Sequence, residues 1–346
     1  MLFRTLTSGL RTTIGVWTRN LSTSQSHHAE KGANVSVFNF LPSNRLPSKP
    51  RTTGLTEIRG PYYAPVTKTY LDELLGDWGE YVDGVKCAGG AFSLMPRERL
   101  SALIDTTHKH GGCYVSTGGF IEHVSSSSAG DKAVVEKYLQ ACKDTGCVCS
   151  PSRPFIVDSE ITNVNFDVLE ISSGFLSGDW ASLAEQTASY GLKPKPEVGI
   201  QWGAGGDAAI EELESAGTRD PKWLIDRANT LLEAGAHMIM IESERITKNV
   251  RQWRTDVISA ITSGLPKDKI MFEAAEPDGK RIFSLCYHLP IFFVMFAYHI
   301  QNQGATANLF IDHSQIVQLA CLRKGIWSTG GTFARVVTFA GAQEKK

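Results

Sequence analysis

The sequence predicts a single (β/α)8 barrel of the TIM type over residues 51–336. Short β-rich runs alternate with amphipathic helical patterns eight times, and most of the helical patterns end at glycine. Carboxylates and a lysine recur where the strand runs end. Strict alternation implies a parallel sheet, because parallel strands need crossovers and these are usually helical. The length also suits one barrel.

The predicted strands are 53–59, 83–87, 113–116, 166–171, 195–200, 237–241, 269–272 and 308–311. The predicted helices are 66–81, 97–110, 132–143, 180–190, 222–234, 250–262 and 316–322. An open doubly wound sheet is the competing fold, and it usually carries a glycine-rich phosphate loop after strand one. Here strand one runs into Gly60-Pro61, and the later run Gly203-Ala204-Gly205-Gly206 lacks the lysine of a nucleotide-binding loop.

An apolar run at 282–296 lies where helix seven is expected. It is shorter than the roughly 20 residues of a membrane helix, and it contains His288 and Pro290. We therefore expect no membrane span. The run is either a buried helix or an insertion, and a retained intron over 279–296 is a further hypothesis that transcript sequencing would test.

The first thirty residues differ from the rest in composition. Arg4, Arg11 and Arg19 lie among Ser, Thr and Leu, and the first acidic residue is Glu30. This pattern is typical of a mitochondrial transit peptide, although a disordered tail is the alternative. We expect residues 1–32 to direct the chain to the mitochondrial matrix, 33–50 to be a linker, and 337–346 to be a disordered tail.

Composition and charge limit the classes of binding partner that we expect. The net charge is −1, and the body of the chain contains no basic block, so nothing favours nucleic acid. The seven cysteines have no paired CxxC spacing, which indicates reduced, mostly buried thiols. We expect a small anionic ligand and a homo-oligomer.

Acidic residues at the strand ends predict a magnesium site. Active sites of such barrels lie at the carboxyl ends of the strands. Several carboxylates at one mouth repel one another, and a hard divalent cation that prefers oxygen ligands removes this difficulty. The candidate ligands are Glu170, Glu197, Glu242 and Glu273. Ordinary salt bridges are the alternative for any one of these acids.

Other strand-end residues are candidates for binding and catalysis. Lys86 offers a compact positive charge for a phosphate, a carboxylate or a developing enolate, and Arg59 and Glu197 are the other catalytic candidates. The candidate binding residues are Ser116, Thr117, Gly118, Gly119, Ser172, Gln201 and His313. Two interpretations of the segment around His313 stay open. Either the side chain of His313 or Asp312 alone reaches the mouth, or Asp312 or Ser314 caps the last helix.

Seven motifs in order resemble the phosphosulfolactate synthase family: DGVK, VSTGGFIE, LEISSG, PEVG, MIMIE, IMFEAA and NLFIDHSQIVQLACLRKGIW. The resemblance implies a (β/α)8 barrel. It also implies a magnesium-dependent lyase-type site, since archaeal members add sulfite to phosphoenolpyruvate in coenzyme M synthesis. The match is closer to a eukaryotic branch that includes the heat-stress-associated proteins of plants.

The sequence departs from the archaeal pattern where archaeal members carry lysines. Gly60 and Pro61 replace an Asp-Lys pair, and Ile200 and Gln201 replace two lysines. The glutamine side chain does not gain or lose a proton near neutral pH, so a lysine's acid–base role does not carry over to Gln201. Three hypotheses follow: a mitochondrial lyase or synthase, a non-sulfonating stress-tolerance protein acting through protein partners, and a structural oligomer subunit.

Overall fold

The computed structural model describes residue 40 and residues 46–144, 166–172, 180–200, 220–246, 254–274 and 307–324. The chain divides into a unit of residues 1–41 and a unit of residues 42–346. The predicted transit peptide, the tail after residue 336 and the apolar run at 282–296 lie outside the described residues, so those predictions stay predictions. No helix among the described residues is long and apolar enough to cross a membrane.

Eight parallel strands close into one barrel in chain order, β1 to β8, which confirms the predicted fold. The strands are β1 Thr56–Arg59, β2 Gly84–Cys87, β3 Tyr114–Thr117, β4 Val168–Ser172, β5 Lys193–Val198, β6 Ile239–Ile241, β7 Ile270–Glu273 and β8 Asn308–Asp312. The barrel closes because β1 pairs with both β2 and β8, with Arg59 opposite both Lys86 and Asp312.

Eight α-helices are described around the barrel: α1 Lys68–Trp78, α2 Arg97–Lys109, α3 Ile121–Ser127, α4 Lys132–Asp144, α5 Trp180–Ser189, α6 Pro221–Glu233, α7 Thr255–Gly264 and α8 Ile316–Arg323. Three helix ends show why the sequence places them there. Thr67 accepts a hydrogen bond from the Tyr70 amide at the start of α1. Gly191 and Gly235 follow α5 and α6 with φ of +78° and +92°, which favours glycine.

The structure corrects the predicted boundaries by a few residues. The first strand begins at Thr56 rather than at residue 53, and β5 runs from Lys193 to Val198 rather than from 195 to 200. Two elements between a strand and its helix were not predicted: the 3-10 segment Ala88–Leu94 after β2 and helix α3 after β3. Both are short and follow strand ends, where glycine pairs and serines suggest a loop rather than a helix.

Apolar side chains form two clusters on opposite sides of the sheet. A large cluster lies between the strands and the helices and includes Ile58, Val115 and Ile171. A smaller cluster contains Leu55, Met238, Met240, Met271 and Phe310. Side chains alternate across a strand. The residues two positions after Met240, Met271 and Phe310 therefore share their face at the carboxyl ends: Glu242, Glu273 and Asp312.

The base of the barrel is closed by ion pairing. Asp83, just before β2, accepts two hydrogen bonds from the Arg51 guanidinium at 2.9 and 3.1 Å and one from the Thr56 amide at 2.8 Å. Lys49 lies within the predicted linker, and its ammonium donates to the Val82 carbonyl. The described part of the linker therefore contacts the start of β2, at the end opposite the candidate site.

Candidate active site

Lys86 lies at the carboxyl end of β2 with its ammonium directed at Glu170. Nζ is 2.6 Å from Glu170 Oε1 and 4.2 Å from the centre of the Phe310 ring. Burial alone lowers the pKa of Lys86, but the carboxylates of Glu170, Glu197 and Glu57 outweigh it and raise the pKa above its ordinary value. Lys86 is therefore a fixed positive charge.

Glu170 is shared between two lysines. Its Oε2 lies 3.3 Å from Lys195 Nζ, while its Oε1 contacts Lys86 and accepts a hydrogen bond from the Gly119 amide at 3.2 Å. Lys195 also donates to both oxygens of Glu57, at 2.6 and 2.8 Å. Two lysines and two glutamates thus neutralise one another inside the barrel. The structure places Glu170, a predicted metal ligand, in this network.

Glu197, Glu242 and Glu273 form a separate group of carboxylates. One oxygen from each lies within 4.8 Å of the others. Burial, followed by repulsion from Glu170, raises the pKa of Glu197. Burial, followed by repulsion from Glu273 and Glu197, raises that of Glu242 well above its ordinary value. Protonation or a bound cation relieves this repulsion. We call these three residues the glutamate group.

Serine hydroxyls orient two members of the glutamate group. Ser172 Oγ donates to Glu197 Oε2 at 2.7 Å, and Ser243 Oγ donates to Glu273 Oε2 at 3.0 Å. Ser172 is itself held, because its amide donates to Glu122 Oε1 from the start of α3. Outer contacts of this kind fix metal ligands in proteins. Ser172 is predicted to bind substrate, and that role stays a prediction; in the structure its hydroxyl supports Glu197.

Arg59 lies across the same mouth at the end of β1. Its Nη2 donates to Glu273 Oε1 at 3.3 Å, and its Nη1 is 3.9 Å from Asp312 Oδ2. The guanidinium carbon lies 4.9 Å from the centre of the Tyr63 ring and 5.0 Å from that of Phe310. Arg59, Lys86 and the glutamate group are therefore brought together, as their strand-end positions predict.

The predicted binding segment 116–119 turns its polar groups toward other protein atoms. Ser116 Oγ donates to the Thr117 carbonyl at 2.9 Å, and Thr117 Oγ1 accepts from the Glu170 amide at 3.1 Å. The amides of Gly118 and Gly119 donate to Cys87 O and Glu170. Glycine is required at 118, because a Cβ there would lie 2.5 Å from the Gly89 nitrogen.

Asp312 caps the 3-10 turn His313–Gln315, which leads directly into α8, rather than α8 itself. Its side chain accepts from the Ser314 amide at 3.0 Å, and the Gln315 side chain accepts from the Asp312 amide at 2.9 Å, which is a capping box. His313 Nδ1 lies 3.1 Å from the Arg59 carbonyl oxygen. His313 is thus beside Arg59. Gln201 lies outside the described residues.

Comparison with protein families decides the identity of the chain. The family model described as ComA, (2R)-phospho-3-sulfolactate synthase, matches residues 44–149 and 157–329. This chain belongs to the (2R)-phospho-3-sulfolactate synthase family. The resemblance of the seven motifs is therefore confirmed.

A plant member of this wider group is similar over most of its length. Protein HEAT-STRESS-ASSOCIATED 32 of Arabidopsis thaliana is 31% identical over 297 residues, covering 82% of this chain and 90% of the plant protein.

Solved structures show more distant likenesses. The carboxyl transferase domain of Rhizobium etli pyruvate carboxylase is 11% identical with a TM-score of 0.48, covering 80% of this chain and 44% of that chain. A 3-hexulose-6-phosphate synthase is 11% identical with a TM-score of 0.39, covering 78% of this chain and 98% of that chain. This chain thus spans less than half of the pyruvate carboxylase chain that it matches.

Within this family barrel, Lys195 and Glu122 are among the residues of the site that were not predicted from the sequence. Lys195 neutralises Glu57 and Glu170, and Glu122 supports Ser172. Lys195 precedes Glu197 by two positions on β5, so the alternation of the strand would have placed it on the same face. Glu122 lies on the unpredicted helix α3, and burial raises its pKa to about 8.

Proposed function

We propose that this family member catalyses a magnesium-assisted lyase or synthase reaction on a small phosphorylated or carboxylated anion. The family reaction, sulfite addition to phosphoenolpyruvate, is the first candidate. The observation that carries the proposal is the meeting of Lys86, Arg59 and the glutamate group at one barrel mouth. Positive groups and a cation site together suit an anion on which further negative charge develops.

The glutamate group fits a magnesium ion. It offers three carboxylate oxygens, the hard ligands that magnesium prefers, and the repulsion that raises two of the pKa values favours a bound cation. Glu197, Glu242 and Glu273 would hold the ion, and Glu170 would instead hold Lys86. A bound magnesium would supply positive charge to stabilise oxygen atoms of the anion.

Each remaining group has a role that its contacts support. Lys86, fixed by Glu170, would bind the phosphate or stabilise an enolate oxygen, because its charge is held near the mouth. Ser172 would keep Glu197 oriented. Arg59 would bind a second anionic group at the same mouth. Replacement of two archaeal lysines by Ile200 and Gln201 lowers the positive charge available for attracting two anions.

Turnover would test this proposal directly. Purified protein would be incubated with phosphoenolpyruvate, sulfite and magnesium, and phosphorus NMR would follow product formation. We expect turnover in the wild type, its loss in Lys86→Ala, and no change in the control Lys137→Ala on the exposed face of α4. Absence of both turnover and metal binding would refute the enzyme proposal. Metal binding without turnover would mean that the chemistry differs from the family reaction.

A non-sulfonating stress-tolerance protein that acts through protein partners is the second candidate. It is favoured by the 31% identity to the plant heat-stress-associated protein. Complementation would separate the two candidates. Cells that lack the gene would receive the wild type or Lys86→Ala before heat treatment. Rescue by both would favour partner binding, and rescue by the wild type alone would favour catalysis.

We further infer that residues 1–32 direct the chain to the mitochondrial matrix, where the barrel forms a homo-oligomer. The arginine-rich, acid-poor start supports the first inference. Fusion of residues 1–32 to a fluorescent protein would test it, and a cytosolic signal would refute it. Light scattering of the purified protein would give the oligomeric state.

A further inference from the structure

Arg59 has more hydrogen-bond donors than the described protein groups use. The guanidinium carries five N–H groups. Only 5% of the residue is exposed, and the guanidinium's one hydrogen bond among the described residues runs from Nη2 to Glu273. Nε and Nη1 are buried without a hydrogen-bond acceptor in the described part of the chain. Buried donors without partners are costly, so their retention indicates a ligand.

Aromatic rings surround this guanidinium on two sides. Phe310, only 1% exposed, lies on the barrel side, with its ring centre 5.0 Å from the guanidinium carbon. Tyr63 and Tyr62 lie at 4.9 and 5.7 Å and are 55% and 46% exposed. Access to Arg59 therefore runs past the two tyrosines. The faces of aromatic rings attract the guanidinium cation. The rings also limit the space beside the guanidinium to a planar ligand group.

The backbone is shaped to hold Tyr62 in this position. Gly89 has a φ of +59°, and a Cβ there would lie 2.1 Å from Cε2 of the Tyr62 ring. A side chain at residue 89 would thus displace the ring. Tyr62 also packs against Tyr63, with their ring centres 4.5 Å apart. The tyrosine pair is consequently set by the unpredicted 3-10 segment after β2.

We propose that Arg59, Tyr62 and Tyr63 form a subsite for the carboxylate of a small organic acid. This inference rests on the proposed function, because the subsite shares its mouth with Lys86 and the glutamate group. The neighbouring charges select the class of anion. Glu273 at 3.3 Å and Asp312 at 3.9 Å already face the guanidinium, so a dianionic phosphate is repelled more strongly than a monoanionic carboxylate.

Direct binding tests the subsite without turnover. Calorimetry on the full chain in EDTA would compare the binding affinities of pyruvate, uncharged methyl pyruvate and inorganic phosphate. We expect pyruvate to bind and the ester not to bind. Arg59→Lys keeps the positive charge but removes the paired N–H donors of the guanidinium. This change should lower the affinity for pyruvate by about tenfold. Tyr63→Ala should also weaken it, whereas Tyr63→Phe and the control Arg99→Lys on the exposed face of α2 should match the wild type.

The outcomes separate this subsite from the proposed reaction. Equal pyruvate affinity in the wild type and Arg59→Lys, a larger loss of phosphate affinity than of pyruvate affinity in Arg59→Lys, or no pyruvate binding would overturn the subsite. Circular dichroism would verify the fold of each variant, and Tyr63→Ala provides the test if Arg59→Lys does not fold. Arg59-dependent pyruvate binding without phosphoenolpyruvate–sulfite turnover would support the subsite while the proposed reaction fails.

Discussion

Lys195 and Glu57 form a bidentate ion pair inside the barrel. The ammonium lies 2.6 and 2.8 Å from the two carboxylate oxygens, and the side chains are 1% and 0% exposed. Tyr114 adds a 2.7 Å hydrogen bond to the same carboxylate. Lys195 lies beside Glu170 on the neighbouring strand, with Nζ 3.3 Å from Glu170 Oε2, so the pair is continuous with the candidate site.

We expect Lys195→Met to destabilise the protein by about 3–5 kcal/mol, because removal of one partner leaves the other charge buried and uncompensated. Urea unfolding would measure the free energy. Lys195→Met combined with Glu57→Gln should recover a large part of the loss, and the exposed control Lys137→Met should change stability by less than about 0.5 kcal/mol. A double variant no more stable than Lys195→Met would contradict this account.

Ser172→Ala should weaken magnesium or manganese binding by about tenfold or more while the barrel stays folded, because Glu197 loses its 2.7 Å hydrogen bond. Calorimetric titration of each metal would provide the measurement. Ser189→Ala removes an exposed serine of α5 and serves as the control. Unchanged affinity in Ser172→Ala would remove Ser172 from the support of the metal site.

Glu242→Gln should abolish stabilisation by magnesium yet leave the metal-free protein at least as stable as the wild type near neutral pH. Glutamine resembles the protonated carboxyl that burial and the neighbouring glutamates already favour. Thermal unfolding with magnesium and with EDTA would compare the two states, with Glu136→Gln on exposed α4 as control. Full metal stabilisation in Glu242→Gln would exclude Glu242 as a ligand.

Glu122 should make stability fall as pH rises. Burial raises its pKa from 4.5 to about 8, so the folded state holds a proton between these values that the unfolded state has lost. Because of this carboxyl, the free energy of unfolding falls by about 1.4 kcal/mol per pH unit across that window. Above the window this carboxyl causes no further fall. Urea unfolding of metal-free Glu122→Gln should show a shallower slope than the wild type. Equal slopes would contradict the raised pKa.

Gly118→Ala should destabilise the barrel by several kcal/mol or prevent folding, because its Cβ would lie 2.5 to 2.7 Å from the backbone of Ala88 and Gly89. The matched control is Gly76→Ala within α1, where nothing lies within 4 Å of the added Cβ. That variant should gain about 0.5–1 kcal/mol. Thermal unfolding of both would provide the check, and a neutral Gly118→Ala would refute the close approach.

Periodicity was enough to predict the barrel and the location of its mouth. Alternation of strands and helices predicts parallel pairing, and the ends of the strands predict where Lys86, Glu197, Glu242 and Glu273 lie. The short elements after β2 and β3 were not predictable in this way. Their positions depend on close approaches of Gly89 and Gly90 to aromatic rings and of Gly118 to neighbouring backbone, and a sequence pattern does not encode those contacts.

The sequence by itself determined that acids and cations meet at one end of a (β/α)8 barrel. Only the tertiary structure decided which acids pair with lysines and which form the glutamate group. Glu170 pairs with Lys86 and Lys195, whereas Glu197, Glu242 and Glu273 gather into a group suited to a cation. Lys195 is 138 residues from Glu57, so their pairing depends on which inward side chains share a level of the closed barrel. Local periodicity places a residue on a face, and only barrel closure selects its partner.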